Sequence, residues 1–460
     1  MHDHTGEMHP LAVRYVVYPV YNFIRGLKGY KTAKYEKELI ESQWLTPAQI
    51  EEIQQEKLRL LIEHAYKNVP FYRKLFDELK IKPSDIKDIE DLNKLPLLRK
   101  EDIRKNISAF VAKNIPRKNL KPMMSSGTTG KPLKLFKDKD RDAWRAAARH
   151  RIQKVHGFEQ GDKIVTIYGY SFPRKHLFQG AFLKILRNEW VPYGYDLSEK
   201  MIGAFVKELE KYKPDFIRAW PSSIYPLAEF AGDNDINLRP KNIWLHGEVL
   251  FKFQKRLVEE NLGCEIFDVF GLRESSVYSF ECPEHIGYHL DAENGVIEVL
   301  NRDGEHVSRG ELGAAVFTDF TNFATPLIRY VSEDIVVYAG GRKCPCGRGL
   351  PLVIKSIEGR FSDCLSTDNG FVLPKVVVDL FSNIKTIKNF QVIQKAKDKI
   401  LVKVEKKPDF SSSDADFIMG GIQKFFKSDV NIEIEYVKSI PLTASGKKRF
   451  VISEVPPKFI

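Results

Sequence analysis

The chain has 460 residues, 43% of them hydrophobic and 29% charged, enough to bury a large core in at least two domains. Five cysteines, an odd number scattered behind no cleavable apolar leader, argue against a secreted disulfide framework and for a reducing, cytoplasmic setting. The net charge of +11 comes from Lys and Arg interspersed with acids, and no nucleic-acid-binding module is recognisable, which points to anionic small molecules or an anionic membrane face and away from DNA.

The histidines of the opening MHDHTGEMH read as a frayed terminus rather than a metal site. From Leu11 to Lys31, Val, Tyr, Phe and Ile mix with Arg14, Arg25, Lys28 and Lys31. Arg14 and Pro19 interrupt this stretch and it is too short to span a bilayer. Its pattern suits either a membrane interface or packing on the main domain. From Thr46 to Leu79 the apolar spacing predicts paired helices, opened by a Thr46 cap with Pro47 behind it and broken at Val69-Pro70.

Ser125-Ser126-Gly127-Thr128-Thr129-Gly130-Lys131-Pro132 is built of small, hydroxylated and basic residues. Gly127 and Gly130 let the backbone approach phosphate oxygens, the hydroxyls donate hydrogen bonds, and Lys131 brings charge. A Walker A loop would need Gly four residues before the Gly-Lys pair and Ser or Thr after it, where this chain has Ser125 and Pro132. The stretch therefore reads as a phosphate loop of another kind, or, taken alone, as a solvated linker.

An apolar run over Leu133–Phe136 and a helix over Arg141–His156 follow. Buried strands are then predicted at Lys163–Tyr168, Asp215–Trp220, Asn242–Leu245 and Glu265–Phe270, separated by amphipathic helices such as Ser198–Tyr212 and Lys252–Asn261. This alternation implies an α/β fold with a parallel sheet. Each strand ends in turn-forming residues, among them His246-Gly247-Glu248 and Gly271-Leu272-Arg273-Glu274, and the carboxyl ends of such strands share one ligand crevice. Alternating runs at Ala314–Phe317 and Ile335–Tyr338 predict a smaller antiparallel β unit. Past Gly359 come a hairpin over Phe390–Val404, a helix over Ser411–Phe426 and a strand over Asn431–Val437. The organisation expected is an N-terminal α/β domain over 1–358, with 1–80 helical, and a small mobile α+β domain over 359–460.

Five motifs in order resemble the adenylate-forming enzymes, the superfamily of acyl-CoA synthetases: SSGTTGKP at 125–132, Phe270-Gly271-Leu272-Arg273-Glu274, Arg329-Tyr330-Val331-Ser332-Glu333-Asp334, Gly359-Arg360, and the run from Pro441 to Lys447. AYKNVPFYRKLF, PLIRY and CPCGRGLP narrow the likeness to the phenylacetate-CoA ligase branch, which includes members tied to capsular polysaccharide biosynthesis. The resemblance implies ATP as co-substrate, Mg2+, a carboxylic acid, and CoA or an amine or hydroxyl as acceptor. By that resemblance Ser125 to Lys131 hold the β- and γ-phosphates and Glu274 binds Mg2+. Asp334 accepts from the ribose hydroxyls, Arg360 lies near ribose and phosphates, and Lys447 reaches the α-phosphate and the attacking carboxylate. Phe270, Gly271, Gly247 and Glu248 wall the nucleotide and acyl pocket, whose further lining is expected near Tyr168, Tyr170, Pro221, Ser222 and His246.

The chain departs from the superfamily pattern at two places. Glu333 stands where Gly is common, adding negative charge beside the nucleotide, and Ser362, followed by Asp363, stands at the usual hinge position. A second constellation, Cys282, His289, Cys344 and Cys346, has the donor set of a structural Zn2+ site, with His285 competing for the place of His289 and ordinary reduced cysteines as the other reading. Two further functions fit the motifs: a nucleotidyltransferase moving AMP onto a cofactor or sugar-linked acid, and a silent scaffold, against which the intact Glu274 and Gly446-Lys447 argue.

Overall fold

A computed structural model describes residues 9–125, 132–168, 188–192, 199–342, 344–368, 370–443 and 446–457. Its frame is a mixed eleven-stranded sheet. Five strands at one end, Glu189–Trp190, Ile164–Ile167, Phe216–Ala219, Asn242–His246 and Glu265–Gly271, run parallel. The sheet then continues antiparallel through Tyr278–Glu281, Tyr288–Leu290, Leu352–Arg360, Tyr330–Arg342, Leu312–Asp319 and Gly295–Leu300. The antiparallel strands are thus no separate β unit. The hairpin of Tyr278–Glu281 and Tyr288–Leu290 joins them to the parallel half by a pairing that local periodicity does not encode.

The parallel strands are buried on both sides, as near-continuous apolar runs require. One face presents Val165, Ile167, Ile217, Ala219, Ile243 and Leu245 to the helices Glu199–Tyr212, Pro221–Asp233 and Lys252–Leu262. The other presents Phe216, Trp244 and Phe267, packed with Phe158. Residues alternate between the two faces, so Arg218 and His246 share the side of Phe216 and Trp244. The helix Lys139–Val155, capped by Asp138, supplies Arg151, which is fully buried between Asp291 and Glu293.

The helices Pro47–Asn68 and Pro70–Leu79 form as expected, the first opened by a reciprocal Thr46–Gln49 capping box. Pro19 does not interrupt the N-terminal segment. The chain stays helical from Pro10 to Leu27, and a π-helical turn at Val13–Val17 stands just ahead of the proline, whose missing N–H the irregular turn absorbs. No helix among the described residues is long and apolar enough to cross a membrane.

The strand Leu352–Arg360 stays paired in the large sheet to its last residue, and the chain leaves that sheet at the turn Phe361–Asp363. Beyond it a four-stranded sheet, in the order Asn431–Tyr436, Lys399–Lys406, Ile387–Ala396, Val451–Ser453, packs with the helices Pro374–Ser382 and Ser412–Gln423 around its own apolar core. Phe251 belongs to that core, and its ring meets Phe450 edge-on at 5.4 Å. This aromatic contact docks the C-terminal layer on the turn that follows Gly247-Glu248.

Candidate active site

A cleft of about 1100 Å3, mouth included, opens between the large sheet and the C-terminal layer. Gly247, Glu248, Phe270, Gly271, Asp334, Arg360 and Lys447 all line it, bringing together residues from five separate stretches of sequence. The parallel strands Asn242–His246 and Glu265–Gly271 deliver the first four at their carboxyl ends, where an open α/β sheet places its ligands.

Asp334 and Arg360 face each other across paired strands, with Arg360 Nε donating to Asp334 Oδ1 at 2.9 Å. The carboxylate raises the guanidinium's already high pKa. Asp334 is 6% exposed, and its Oδ2 is buried with no hydrogen-bond partner among the described residues. An orphaned carboxylate oxygen in a cleft is costly unless a ligand donor meets it. Neighbouring Glu333 turns its charge elsewhere: it pairs with Lys100 at 3.0 Å, from a backbone at φ +70°, the left-handed region that explains why Gly suits this position.

Glu274 follows the strand Glu265–Gly271 and is 5% exposed. Tyr330 donates to its Oε1 at 3.0 Å, and no donor among the described residues takes Oε2. Its loop is held from the neighbouring helix: Arg141 donates to the carbonyls of Arg273 and Ser275, and Arg145 to that of Leu272. Burial pushes Arg141 down to about 10, a cost that this backbone clamp repays in position. A half-satisfied buried carboxylate with one oxygen open suits an oxygen-seeking cation such as Mg2+.

Lys447 reaches across the cleft. Its Nζ donates to the Gly247 carbonyl and sits 5.1 Å from the centre of the Trp220 ring. Burial and the nearby charge of Arg360 lower its pKa. Glu248 accepts from both the amide and the hydroxyl of Ser222, and burial raises its pKa. Of the phosphate loop, Ser125 is described: its hydroxyl accepts from the Leu133 amide at 2.8 Å, closing the hairpin of Lys121–Met124 and Lys134–Lys137. Ser126, Gly127, Thr128, Thr129, Gly130 and Lys131 lie outside the described residues, as does Tyr170.

Sequence reasoning missed the aromatic seat of Lys447 and one residue of the cleft lining. Trp220 stands at the end of a buried strand, just before Pro221, and its ring carries the ammonium of Lys447; an aromatic residue at a parallel strand's carboxyl end was the available signal. Asp268 lines the cleft fully buried, with burial and Glu281 pushing its carboxyl up to about 7 while Tyr288 donates to it at 2.9 Å.

Away from the cleft, the ligand atoms of Cys282, His289, Cys344 and Cys346 lie within 4.8 Å of one another. The ring of His289 is fixed by Nδ1 at 2.8 Å from the Leu350 carbonyl, which leaves Nε2 facing the Cys346 thiol at 3.3 Å. His285 is engaged elsewhere, with Glu281 and the Phe267 ring. Three thiols and an oriented imidazole fit the donor preference and count of Zn2+.

Residues 364–454 match the family model described as the CapK C-terminal domain. The chain is 29% identical over 352 residues to a phenylacetate-coenzyme A ligase of Thermus thermophilus, an alignment covering 74% of this chain and 77% of the relative. It is 24% identical over 415 residues to Protein CapK of Staphylococcus aureus, covering 88% and 89%. Its fold is that of 2-hydroxyisobutyryl-CoA ligase solved in the postadenylation state with an adenylate, at a TM-score of 0.72 and 22% identity over 90% of this chain and 91% of the other. These likenesses, with five motifs of which four converge on one cleft, relate the chain to the adenylate-forming enzymes and support an AMP-forming acid ligase similar to the phenylacetate-CoA ligases and CapK-type proteins.

Proposed function

We propose that the cleft joins a carboxylic acid to ATP as an acyl-adenylate and then passes the acyl group to CoA or to an amine or hydroxyl acceptor. The observation that carries this reading is Lys447, a lysine of the C-terminal layer held over the same cleft as the Asp334–Arg360 pair. In the first step a carboxylate oxygen attacks the α-phosphorus while the bond to pyrophosphate breaks. Two anions must meet, and one ammonium beside both offsets their repulsion as the bond forms. Asp334 takes the ribose hydroxyls with its unpartnered oxygen, and Arg360 adds positive charge nearby. Glu274 would hold Mg2+, which neutralises phosphate charge, and residues 125–131 would receive the released pyrophosphate.

Pyrophosphate exchange over a panel of aryl and short acids tests the reading. Exchange that CoA fails to discharge marks an amine or hydroxyl acceptor, as a role in polysaccharide synthesis would require. Exchange with no acid at all overturns the proposal. For the acceptor step we place the moving unit at 359–460, which has a separate apolar core.

The N-terminal helix supports a peripheral contact with an anionic membrane face. Val16, Val20, Phe23, Ile24 and Leu27 form an exposed stripe at helical spacing, flanked by Arg25 and Lys28, while Arg14 and Tyr18 anchor the helix to the protein. Sedimentation with anionic vesicles should be lost in Phe23→Asp/Leu27→Asp. Equal sedimentation of that variant would refute the contact.

A further inference from the structure

A second cavity, of about 670 Å3 with its mouth included, lies where the N-terminal helix meets the main domain, and it shares no lining residue with the adenylating cleft. Tyr18, Tyr21 and Arg25 line it from one side of the N-terminal helix, at helical spacing. The exposed apolar stripe of Val16, Val20, Phe23, Ile24 and Leu27 occupies the opposite side. The helix Lys139–Val155 supplies Arg149 and Gln153, and the parallel strands supply Arg218 and Glu189.

Among the described residues, Arg25, Arg149 and Arg218 bring three guanidinium groups to this lining and Glu189 its one carboxylate. Glu189 meets Arg218 Nη1 at 2.9 Å, accepts from the Thr166 hydroxyl at 3.0 Å and has a further contact, so its charge is engaged. Arg218 Nη1 also reaches Thr166 at 3.4 Å, and its Nε and Nη2 have no partner among the described residues. Arg25 donates to the Tyr21 hydroxyl at 3.2 Å and lies 4.1 Å from the centre of the Tyr30 ring, meeting no acid among the described residues. Arg149 is exposed and makes no hydrogen bond or ion pair with a described residue. Behind the lining, Glu36 is taken by Tyr18, His150 and Lys154. The balance is a surplus of two positive charges, on Arg25 and Arg149. The polar wall points the same way. Gln153 is only 5% exposed, yet its side-chain amide has no partner among the described residues, and neither has the buried Thr32 hydroxyl. A buried amide left unpaired beside surplus cations is costly unless a ligand meets it.

We propose that this cavity binds the phosphate group of a small soluble phosphate ester, at a site separate from the adenylating cleft and independent of its chemistry. A phosphate monoester carries about two negative charges at neutral pH, which matches the surplus, whereas a single carboxylate leaves one arginine uncompensated. Its oxygens accept from Arg25, Arg149, the remaining donors of Arg218 and the Gln153 amide in charge-assisted hydrogen bonds. The ligand is soluble and not a lipid headgroup, because the cavity opens on the side of the helix away from its apolar stripe. Arg25 and Arg149 stand on different helices, so a phosphate held by both ties the N-terminal helix to the main domain.

The test is calorimetric titration of the full chain with inorganic phosphate and with glycerol 3-phosphate, in wild type, Arg149→Glu, Gln153→Leu and Lys131→Ala, the last to remove binding at the phosphate loop. Wild type and Lys131→Ala should bind both probes at this site equally well. Arg149→Glu should weaken binding by about tenfold or more, the scale of one charge-assisted hydrogen bond, and Gln153→Leu by about threefold. Both probes should raise the Tm of wild type and leave that of Arg149→Glu unmoved. Arg149 is exposed, so its replacement should keep the fold and the exchange activity. Binding lost in Lys131→Ala and kept in Arg149→Glu would place the phosphate in the loop and overturn the site. Absence of any binding in Lys131→Ala would leave a cavity filled with water and overturn it too. Loss of exchange in a folded Arg149→Glu would put the arginine in the adenylating cleft and overturn the separation. Arg149-dependent sedimentation with phosphatidic acid vesicles, without binding of the soluble probes, would overturn the soluble ligand in favour of a headgroup.

Discussion

Lys447 donates to the backbone carbonyl of Gly247, two hundred positions earlier in the chain. The glycine makes this approach available: its φ is +80°, and a Cβ there would stand 3.3 Å from Trp220 Nε1 and 3.5 Å from Lys447 Nζ. Gly247→Ala therefore strains the left-handed turn by about 1 kcal/mol and crowds the ammonium off its perch. Exchange should fall about tenfold in that variant and about a hundredfold or more in Lys447→Ala, which removes the charge that offsets the two anions. Discharge of a chemically supplied acyl-adenylate should survive both changes. Normal exchange in Lys447→Ala would sink the assignment.

Asp268 should leave its mark on stability against pH. Its carboxyl titrates near an ordinary aspartate value when unfolded and is pushed up to about 7 when folded, chiefly by burial and secondarily by Glu281. Between these values the native state holds a proton that the unfolded chain has lost. The stabilising contribution is complete below about pH 4 and is lost as pH rises to about 7, to the extent of a few kcal/mol. Asp268→Asn keeps an acceptor for Tyr288 and abolishes the titration, so its urea midpoints should vary less over that window and exceed wild type at pH 8. Parallel profiles for the two proteins would show that Asp268 ionises normally.

Local signals carried most of the elements. Asn242–His246, Glu265–Gly271, Lys139–Val155 and Asn431–Tyr436 lie within two residues of the sequence expectation, because apolar runs and caps are properties of neighbouring residues. The joining of both strand sets into one sheet was not legible, since alternation gives a strand its faces but not its partners. Within the site, the residue types at 247, 274, 334, 360 and 447 were readable from their motifs. The Trp220 seat of Lys447, the Lys100 partner of Glu333 and the Arg218–Glu189 pair were not, because each joins positions whose separation no local pattern records.

Glu333 combines backbone strain with an ion pair, and two substitutions separate them. Glu333→Ala loses the pair with Lys100, which is itself largely buried, and keeps a Cβ at φ +70°. Glu333→Gly loses the same pair and relieves the backbone. The glycine variant should therefore be more stable than the alanine variant by about 1 kcal/mol in chemical denaturation, with both below wild type. Equal stability of the two would mean that the left-handed backbone costs nothing at this position.

The Cys282, His289, Cys344 and Cys346 cluster ties the hairpin of Tyr278–Glu281 and Tyr288–Leu290 to the turn that follows Tyr330–Arg342, two parts of the sheet with a long stretch of chain between them. Cys282 and Cys344 already stand 3.2 Å apart, sulfur to sulfur, so a zinc ion would need only a slight spreading of the thiols. Metal binding that cross-links distant segments adds its free energy to folding. The purified protein should carry one zinc per chain by elemental analysis, and Cys344→Ser should lose that zinc and several degrees of Tm, with His289→Asn doing the same through loss of the oriented nitrogen. The cluster lies away from the cleft, so exchange activity below the lowered Tm should persist in both variants. Zinc-free protein whose Tm is unmoved by Cys344→Ser would reduce the cluster to three ordinary thiols and a buried histidine. Loss of exchange at temperatures where the Cys344→Ser variant is fully folded would instead give the metal a part in the chemistry, contrary to the structural role argued for it.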